Sequence, residues 1–129
     1  MTQNIDDFHC QLIKQSKVLS TAKDKFFKGV PPVNNGAFTP HVYEIHGNVL
    51  YMHCSDEESE HATTFVKSPT LAEVKDTTNH VPKCTECGKI MKPHCMFFDE
   101  CYSERFYRKE TIDAYLEDAD LCIVVGTAL

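Results

Sequence analysis

The sequence is short of several features that would place it quickly. No G-x-G pattern occurs, so no glycine-rich turn is present to seat a dinucleotide pyrophosphate at a helix N-terminus. No apolar run approaches the ~20 residues of a membrane span. The first residues also lack the basic-then-apolar pattern of a secretory leader. Positive charge is scarce as well. Thirteen Lys and Arg face 19 Asp and Glu, for a formal net charge of -6. That balance argues against nucleic acid or an anionic membrane as the main partner. A chain of 129 residues, 42% of them hydrophobic, is one domain's worth with enough apolar surface for a core. The expectation is a soluble intracellular protein, cytoplasmic or nuclear, with an organelle left open.

Cysteine is not scarce. Seven are spread unevenly, at positions 10, 54, 84, 87, 95, 101 and 122. Secreted disulfide scaffolds are shorter and evenly paired, so an odd count with one C-x-x-C favours a reducing compartment and a metal site. Cys122, inside an apolar run, reads as core filler, and Cys95 and Cys101 as lining the fold.

Periodicity predicts a helix from Ile5 to about Leu19, with Ile5, Phe8 and Leu12 on its apolar face. Prolines, Asn34, Asn35 and Gly36 make 20–40 a loop or insertion. Val42 to Cys54 reads as two short strands broken at His46-Gly47-Asn48, and the acidic run 55–60 as solvated loop. Residues 61–83 show little periodicity. Lys83 to Phe98 is expected to be a cysteine knuckle leading into an extended segment. Tyr102 to about Ala119 fits one amphipathic helix through Phe106, Ile112, Tyr115, Leu116 and Ala119. The run 120–126 is almost wholly apolar and ends in glycine. It reads as a strand buried on both faces of a parallel sheet.

Cys84-x-x-Cys87-Gly88 is a strong metal half-site, because the turn points both sulfurs inward and glycine lets the backbone close beneath them. Cys54 is the natural third ligand. A C-x-x-C partner for it falls on Glu57, and His53 and His61 are the nearby substitutes, so three candidates stand for the fourth. At the other end, Gln3, Asn4 and Asp6 offer an amide pair and a carboxylate that suit a polar cofactor, although Asn-x-Asp is also ordinary helix-capping chemistry. His46 sits at a glycine break, on rigid backbone, and imidazole takes a proton at neutral pH.

Thr2-Gln3-Asn4-Ile5-Asp6 with His9 comes first, then Tyr43-Glu44-Ile45-His46-Gly47-Asn48, then Cys54 with Cys84 and Cys87. Lys92-Pro93-His94-Cys95-Met96-Phe97-Phe98-Asp99-Glu100 and Val124-Val125-Gly126-Thr127 follow. In this order and spacing they resemble the middle of a sirtuin, an NAD-dependent protein-lysine deacylase. The resemblance covers nearly the whole chain outside about 20–40 and 58–80.

It implies an α/β fold, a partial Rossmann-like parallel sheet with a small zinc-ribbon module. Residues 1–129 would then be part of a sirtuin catalytic domain, with 1–47 and 93–129 the Rossmann-like part and 48–92 the zinc-ribbon-like module. The cofactors implied are NAD and a structural zinc ion; the partner implied is an acylated-lysine protein. Asp6 would hold the nicotinamide carboxamide, and Gln3 and Asn4 the nicotinamide ribose and an ordered water. His46 would be the general base on a ribose hydroxyl as the acyl group passes from lysine to ADP-ribose. Backbone around Met96, Asp99 and Glu100 would pair with the substrate peptide, and Phe98 would wall the acyl-lysine tunnel. Gly126 and Thr127 would approach the cofactor's ribose and phosphate. Two other readings stand beside this one: a non-catalytic zinc-ribbon and peptide-binding remnant, and a sirtuin-like ADP-ribosyltransferase.

Asp99 stands where many sirtuins have glycine, Ala128 where they have serine, and Glu57 where they have a zinc cysteine. The family's glycine-rich loop would precede Thr2 and its adenine-side strands would follow Leu129, so the expectation is a central fragment. The 129 residues alone are therefore predicted to be poorly stable and without measurable deacylase activity. An NAD-dependent acyl-peptide assay on the isolated chain checks this, and robust turnover sinks it.

Overall fold

The computed structural model describes residues 1–15, 42–70, 72–74 and 81–127. The insertion expected at 20–40 and Ala128 lie outside them. No helix among the described residues is long and apolar enough to cross a membrane.

Local capping starts the first helix. Asp6 Oδ1 accepts from the Phe8 N–H at 3.1 Å, and Asp7 takes a left-handed φ of 63°, a region that Asp tolerates better than most residues. Helix α1 then runs Phe8–Gln15. It buries Cys10 and Ile13, one turn apart, while Ile5, Phe8 and Leu12 are exposed. The expected apolar face is thus corrected: buried Asp7 turns the helix so that Cys10 and Ile13 face inward.

Residues 47–54 form one strand, β1 (Gly47–Cys54), rather than the second of two strands. It is the centre of a three-stranded antiparallel sheet between β2 (Val66–Lys67) and β3 (Met91–Cys95). The register pairs Gly47 with Cys95 and Asn48 with His94, then resumes at Met52 opposite Pro93. Proline has no N–H to give a ladder, so the irregularity falls where β3 carries Pro93, on an edge strand that tolerates it. The acidic run ends in a 3-10 turn, Glu60–Thr63. Its carbonyls are gathered by the Arg105 guanidinium, which donates to those of Glu57 and Ser59.

The helix expected over 102–119 is two helices, α2 (Glu104–Tyr107) and α3 (Lys109–Glu117). Arg108 breaks them with a φ of 57°. The Glu104 carboxylate explains the restart. It accepts from the Thr111 N–H at 3.0 Å and the Thr111 hydroxyl at 2.6 Å, capping the first turn of α3 with the charge sign a helix N-terminus favours. Phe106 and Ile112 are buried as expected, whereas Tyr115, Leu116 and Ala119 are exposed.

The parallel strand expected at 120–126 does not form among the described residues: Leu121, Ile123 and Val125 are each more than 70% exposed, and no ladder reaches them. Such a strand needs sheet neighbours on both sides to bury its faces. Cys122, read as core filler, and Cys101 are exposed, while Cys95 is buried.

Among the described residues a core cluster joins β1, the 3-10 turn, β3 and α2. Met52, Cys54, Ala62, Phe65, Cys84, Met91, Phe106 and Tyr107 pack together. Two fully buried histidines stand within it. His94 stacks on Tyr107 with ring centroids 5.5 Å apart, and His53 on Phe106 at 4.9 Å. Burial pushes both imidazoles below their usual range, His94 to about 3 with the neighbouring His53 and Lys92 adding to the shift.

A proton that the unfolded chain binds near pH 6.5 is therefore refused by the fold until about pH 3. Stability from His94 is fully present above pH 6.5. Below it, about 1.4 kcal/mol should be lost per pH unit. Urea midpoints at pH 7.5, 5.5 and 4.5 check this, and His94→Phe should flatten the slope. Equal slopes for the two proteins would remove His94 as the cause.

Candidate active site and metal centre

A cleft of about 570 Å³ opens where the N-terminal segment meets the start of β1 and the end of β3. Gln3, Asn4, Ile5 and Asp6 line one wall, Cys95 to Phe98 and Glu100 the other, and His46 stands between them. The walls are joined by backbone. Thr2 donates to the Tyr43 carbonyl at 2.8 Å and Ile45 to the Thr2 carbonyl at 3.1 Å, a parallel bridge. On the far side, Met96 donates to the His46 carbonyl at 3.0 Å.

His46 is held at both ring nitrogens. Nδ1 lies 3.1 Å from the Gln3 carbonyl oxygen and Nε2 lies 2.8 Å from the Tyr102 hydroxyl. A carbonyl only accepts, so Nδ1 carries a proton, and in the neutral ring Nε2 keeps its lone pair. That is the protonation state a general base needs.

Beneath the cleft, Asn48 is 1% exposed and latches two acidic groups. Its amide nitrogen donates to Asp7 Oδ1 at 2.8 Å and to both Glu44 carboxylate oxygens at 3.0 Å. The segment carrying Asp6 is thus tied to the one carrying His46. Asp6 itself caps α1 with its carboxylate and also lines the cleft.

Gly126 and Thr127 do not line this cleft. They meet Gln3 and Asn4 around a neighbouring concavity, where the Thr127 hydroxyl donates to Gln3 Oε1 at 2.6 Å. On the other wall, Met96 is half-buried, Phe98 is fully exposed at the rim and Asp99 is exposed beyond it. Glu100 is engaged, accepting from the Phe97 N–H at 3.0 Å and from Lys92. Burial works against the Lys92 charge, but Glu100 and Glu57 outweigh it and hold the ammonium above its usual range.

The cysteines assemble elsewhere. Gly88, at φ 74°, closes a tight knuckle in which its N–H bonds to the Cys84 carbonyl at 2.9 Å and Cys84 N–H to the Lys89 carbonyl at 2.7 Å. Donor atoms of Cys54, His61, Cys84 and Cys87 all lie within 4.8 Å of one another. The Cys54 and Cys87 sulfurs are 3.4 Å apart, near the ~3.8 Å edge expected of a zinc tetrahedron with bonds of about 2.3 Å. Of the three candidates for the fourth ligand, His61 joins this set. Glu57 instead accepts from Lys92 at 2.8 Å, and His53 Nε2 faces Glu57 at 3.4 Å from within the aromatic core.

The tautomer of His61 also fits a metal. The Ser59 hydroxyl spends its proton on the Asp56 carbonyl at 2.6 Å, so His61 Nε2, 3.2 Å from Ser59 Oγ, must donate. Nδ1 is then left with its lone pair, and the serine plays the part of an outer hydrogen-bond partner. Burial, followed by hydrogen bonds with the other two sulfurs, pushes the Cys54 thiol up to about 11, whereas backbone N–H groups of Cys87 and Glu86 lower Cys84. Three crowded thiols cannot all ionise without a cation, and one zinc ion relieves that conflict.

Comparison with known proteins bears on residues 29–129, which match the sequence model of the Sir2 family. The chain belongs to the Sir2 family. It is 32% identical over 96% of its length to an NAD-dependent protein deacetylase of Clostridium perfringens, covering 46% of that protein. It is 36% identical over 67% of its length to the NAD-dependent deacetylase sir2A of Dictyostelium discoideum, covering 16% of it. With NAD-dependent protein deacylase sirtuin-5, mitochondrial, of Danio rerio, identity is 25% over 78% of the chain and 37% of the relative. The chain thus spans less than half the length of these relatives. No solved structure gives a significant match.

Within this Sir2 chain, the residues that sequence reasoning did not single out are Asn48 and Tyr102. Asn48 carried a usable signal, an amide alone in an apolar strand directly after the His-Gly break. Tyr102 carried none, since it meets His46 across 56 residues.

The metal centre makes a direct prediction. Purified protein should hold about one zinc per chain, and chelation should lower its thermal midpoint. His61→Ala should weaken zinc affinity by more than the 10–100-fold typical of losing an outer partner, while Glu57→Ala should leave it within about twofold. Competition with a colorimetric chelator measures both, and the reverse order would move the fourth ligand to Glu57.

Proposed function

We propose that the protein is an NAD-dependent protein-lysine deacylase and that the cleft around His46 is its active site. The observation that carries this is the placement of His46, with Nε2 unprotonated, between a wall of Gln3, Asn4 and Asp6 and a wall of Met96 to Glu100, in a chain of the Sir2 family. When bound, NAD supplies the ribose carbon that is attacked and the hydroxyl that receives the acyl group.

The chain's own residues have defined tasks in this reading. Gln3, Asn4 and Asp6 present amide and carboxylate groups to a carboxamide and a ribose. His46 accepts the ribose hydroxyl proton at Nε2 while the Gln3 carbonyl steadies Nδ1–H. β3 is an edge strand, and the backbone that continues it through Met96 suits an acylated peptide laid alongside as an added strand. Phe97 and Phe98 give the rim an apolar surface that keeps water from the acyl-lysine. Gly126 and Thr127, beyond Gln3 and Asn4, face the rest of the cofactor.

The fold that goes with this function is the Rossmann-like α/β domain of the family. In this reading residues 1–47 and 93–129 contribute to its Rossmann-like part and 48–92 to a zinc-bearing module, and Gly47 pairs with Cys95 in the antiparallel sheet where the two meet. A structural zinc on Cys54, His61, Cys84 and Cys87 then fixes the knuckle against β1 without touching the reacting groups.

In full-length protein, His46→Ala should lower acyl transfer by roughly 10²–10⁴-fold and leave the zinc content at its wild-type value. Deacylation of an acetyl-lysine peptide and metal analysis read these separately. Acyl transfer retained in the variant would remove His46 from its role.

A further inference from the structure

The nitrogen that must accept the substrate's proton is already occupied. Nε2 of His46 lies 2.8 Å from the Tyr102 hydroxyl, and the rings stack at 5.9 Å with planes 23° apart. Because Nδ1–H is committed to the Gln3 carbonyl, the phenol must be the donor and the Nε2 lone pair the acceptor. A lone pair that accepts the phenol proton is not available to a second O–H at full strength.

We infer that Tyr102 is a positioning residue that caps the base: its hydroxyl stands in for the substrate hydroxyl at Nε2 and is exchanged for it on binding. The local structure holds the phenol where this works. Tyr102 immediately precedes Ser103, whose side chain caps α2 by accepting from the Phe106 N–H at 3.3 Å. α2 is in turn anchored by Phe106 and Tyr107 in the core and by Arg105 on the carbonyls of Glu57 and Ser59. The ring itself is about 40% exposed, with room to leave. The exchange is chemically even, since one O–H donor replaces another at the same acceptor and no charge changes. The Gln3 carbonyl on Nδ1 keeps the ring in the tautomer that the substrate meets, so the base needs no reorientation when the hydroxyls trade places.

The kinetic consequence rests on the deacylase reading; the hydrogen bond does not. In full-length protein, the ring nitrogen-15 spectrum of neutral His46 should show protonated Nδ1 and bare Nε2. An Nε2–H tautomer overturns the proposal. Diethyl pyrocarbonate, which acylates a bare imidazole nitrogen, should modify His46 about fivefold faster in Tyr102→Phe, the factor one net hydrogen bond provides, as followed by mass spectrometry of the His46 peptide. Equal rates overturn it.

In the deacylation assay the same variant should show KM lowered about fivefold with kcat unchanged. A loss of kcat would make Tyr102 part of the chemistry and overturn the capping role. If wild-type protein transfers no acyl group, the deacylase reading fails, and the spectrum and the modification rate still decide the cap. Phenylalanine keeps the ring stack, and matched thermal midpoints for the two proteins check that folding is intact.

Discussion

A Cβ added to Gly47 would sit 2.0 Å from the carbonyl oxygen of His94 and 3.2 Å from the Cα of Cys95. With φ at 81°, that residue also turns the chain in a way that favours glycine over any side chain. Contact between bare backbones at this point lets β3 run against the start of β1. It sets Met96 on the His46 carbonyl and brings the second wall of the cleft up to the His46 ring. Moving β3 outward would open the cleft and strip both buried histidines of their packing. The site and the core therefore depend on the same missing atom.

Four of the described histidines, His46, His53, His61 and His94, divide by environment rather than by sequence context. His46 keeps one nitrogen on a carbonyl and the other on a hydroxyl. His53 and His94 are buried among aromatic rings with their Nδ1 atoms unbonded, and burial lowers the proton affinity of both. His61 stands on a 3-10 turn beside three thiols, with its tautomer set by Ser59. The same side chain thus lines a cleft, packs in a core or joins a cluster of thiols according to what surrounds each nitrogen.

Much of the site was legible because its signals are local. Asp6 capping α1, the glycine beneath the cysteine knuckle and His46 at a glycine break all follow from neighbours within a few residues. The elements were read less well where long-range contacts overrode periodicity. Arg108 splits what the pattern makes one helix, because the Glu104 carboxylate captures Thr111 and starts a second. The face of α1 was misread because the Asp7–Asn48 hydrogen bond, spanning 41 residues, outweighs the apolar stripe of Phe8 and Leu12. The run 120–126 has the composition of an inner strand, but composition forms a strand only when neighbours present their own backbone.

The sequence by itself determined the chemistry: three thiols, an imidazole on a rigid turn, and an amide and carboxylate set near the N-terminus, in an order that resembles one family. These follow from residue type and spacing, which act over a few bonds. Tertiary structure alone decided which of Glu57, His53 and His61 joins the thiols, because Lys92 takes the first and the aromatic core takes the second. It also placed Tyr102 on His46. Both outcomes are set by competition between side chains distant in the chain, where the strongest available partner, rather than the nearest in sequence, claims each group.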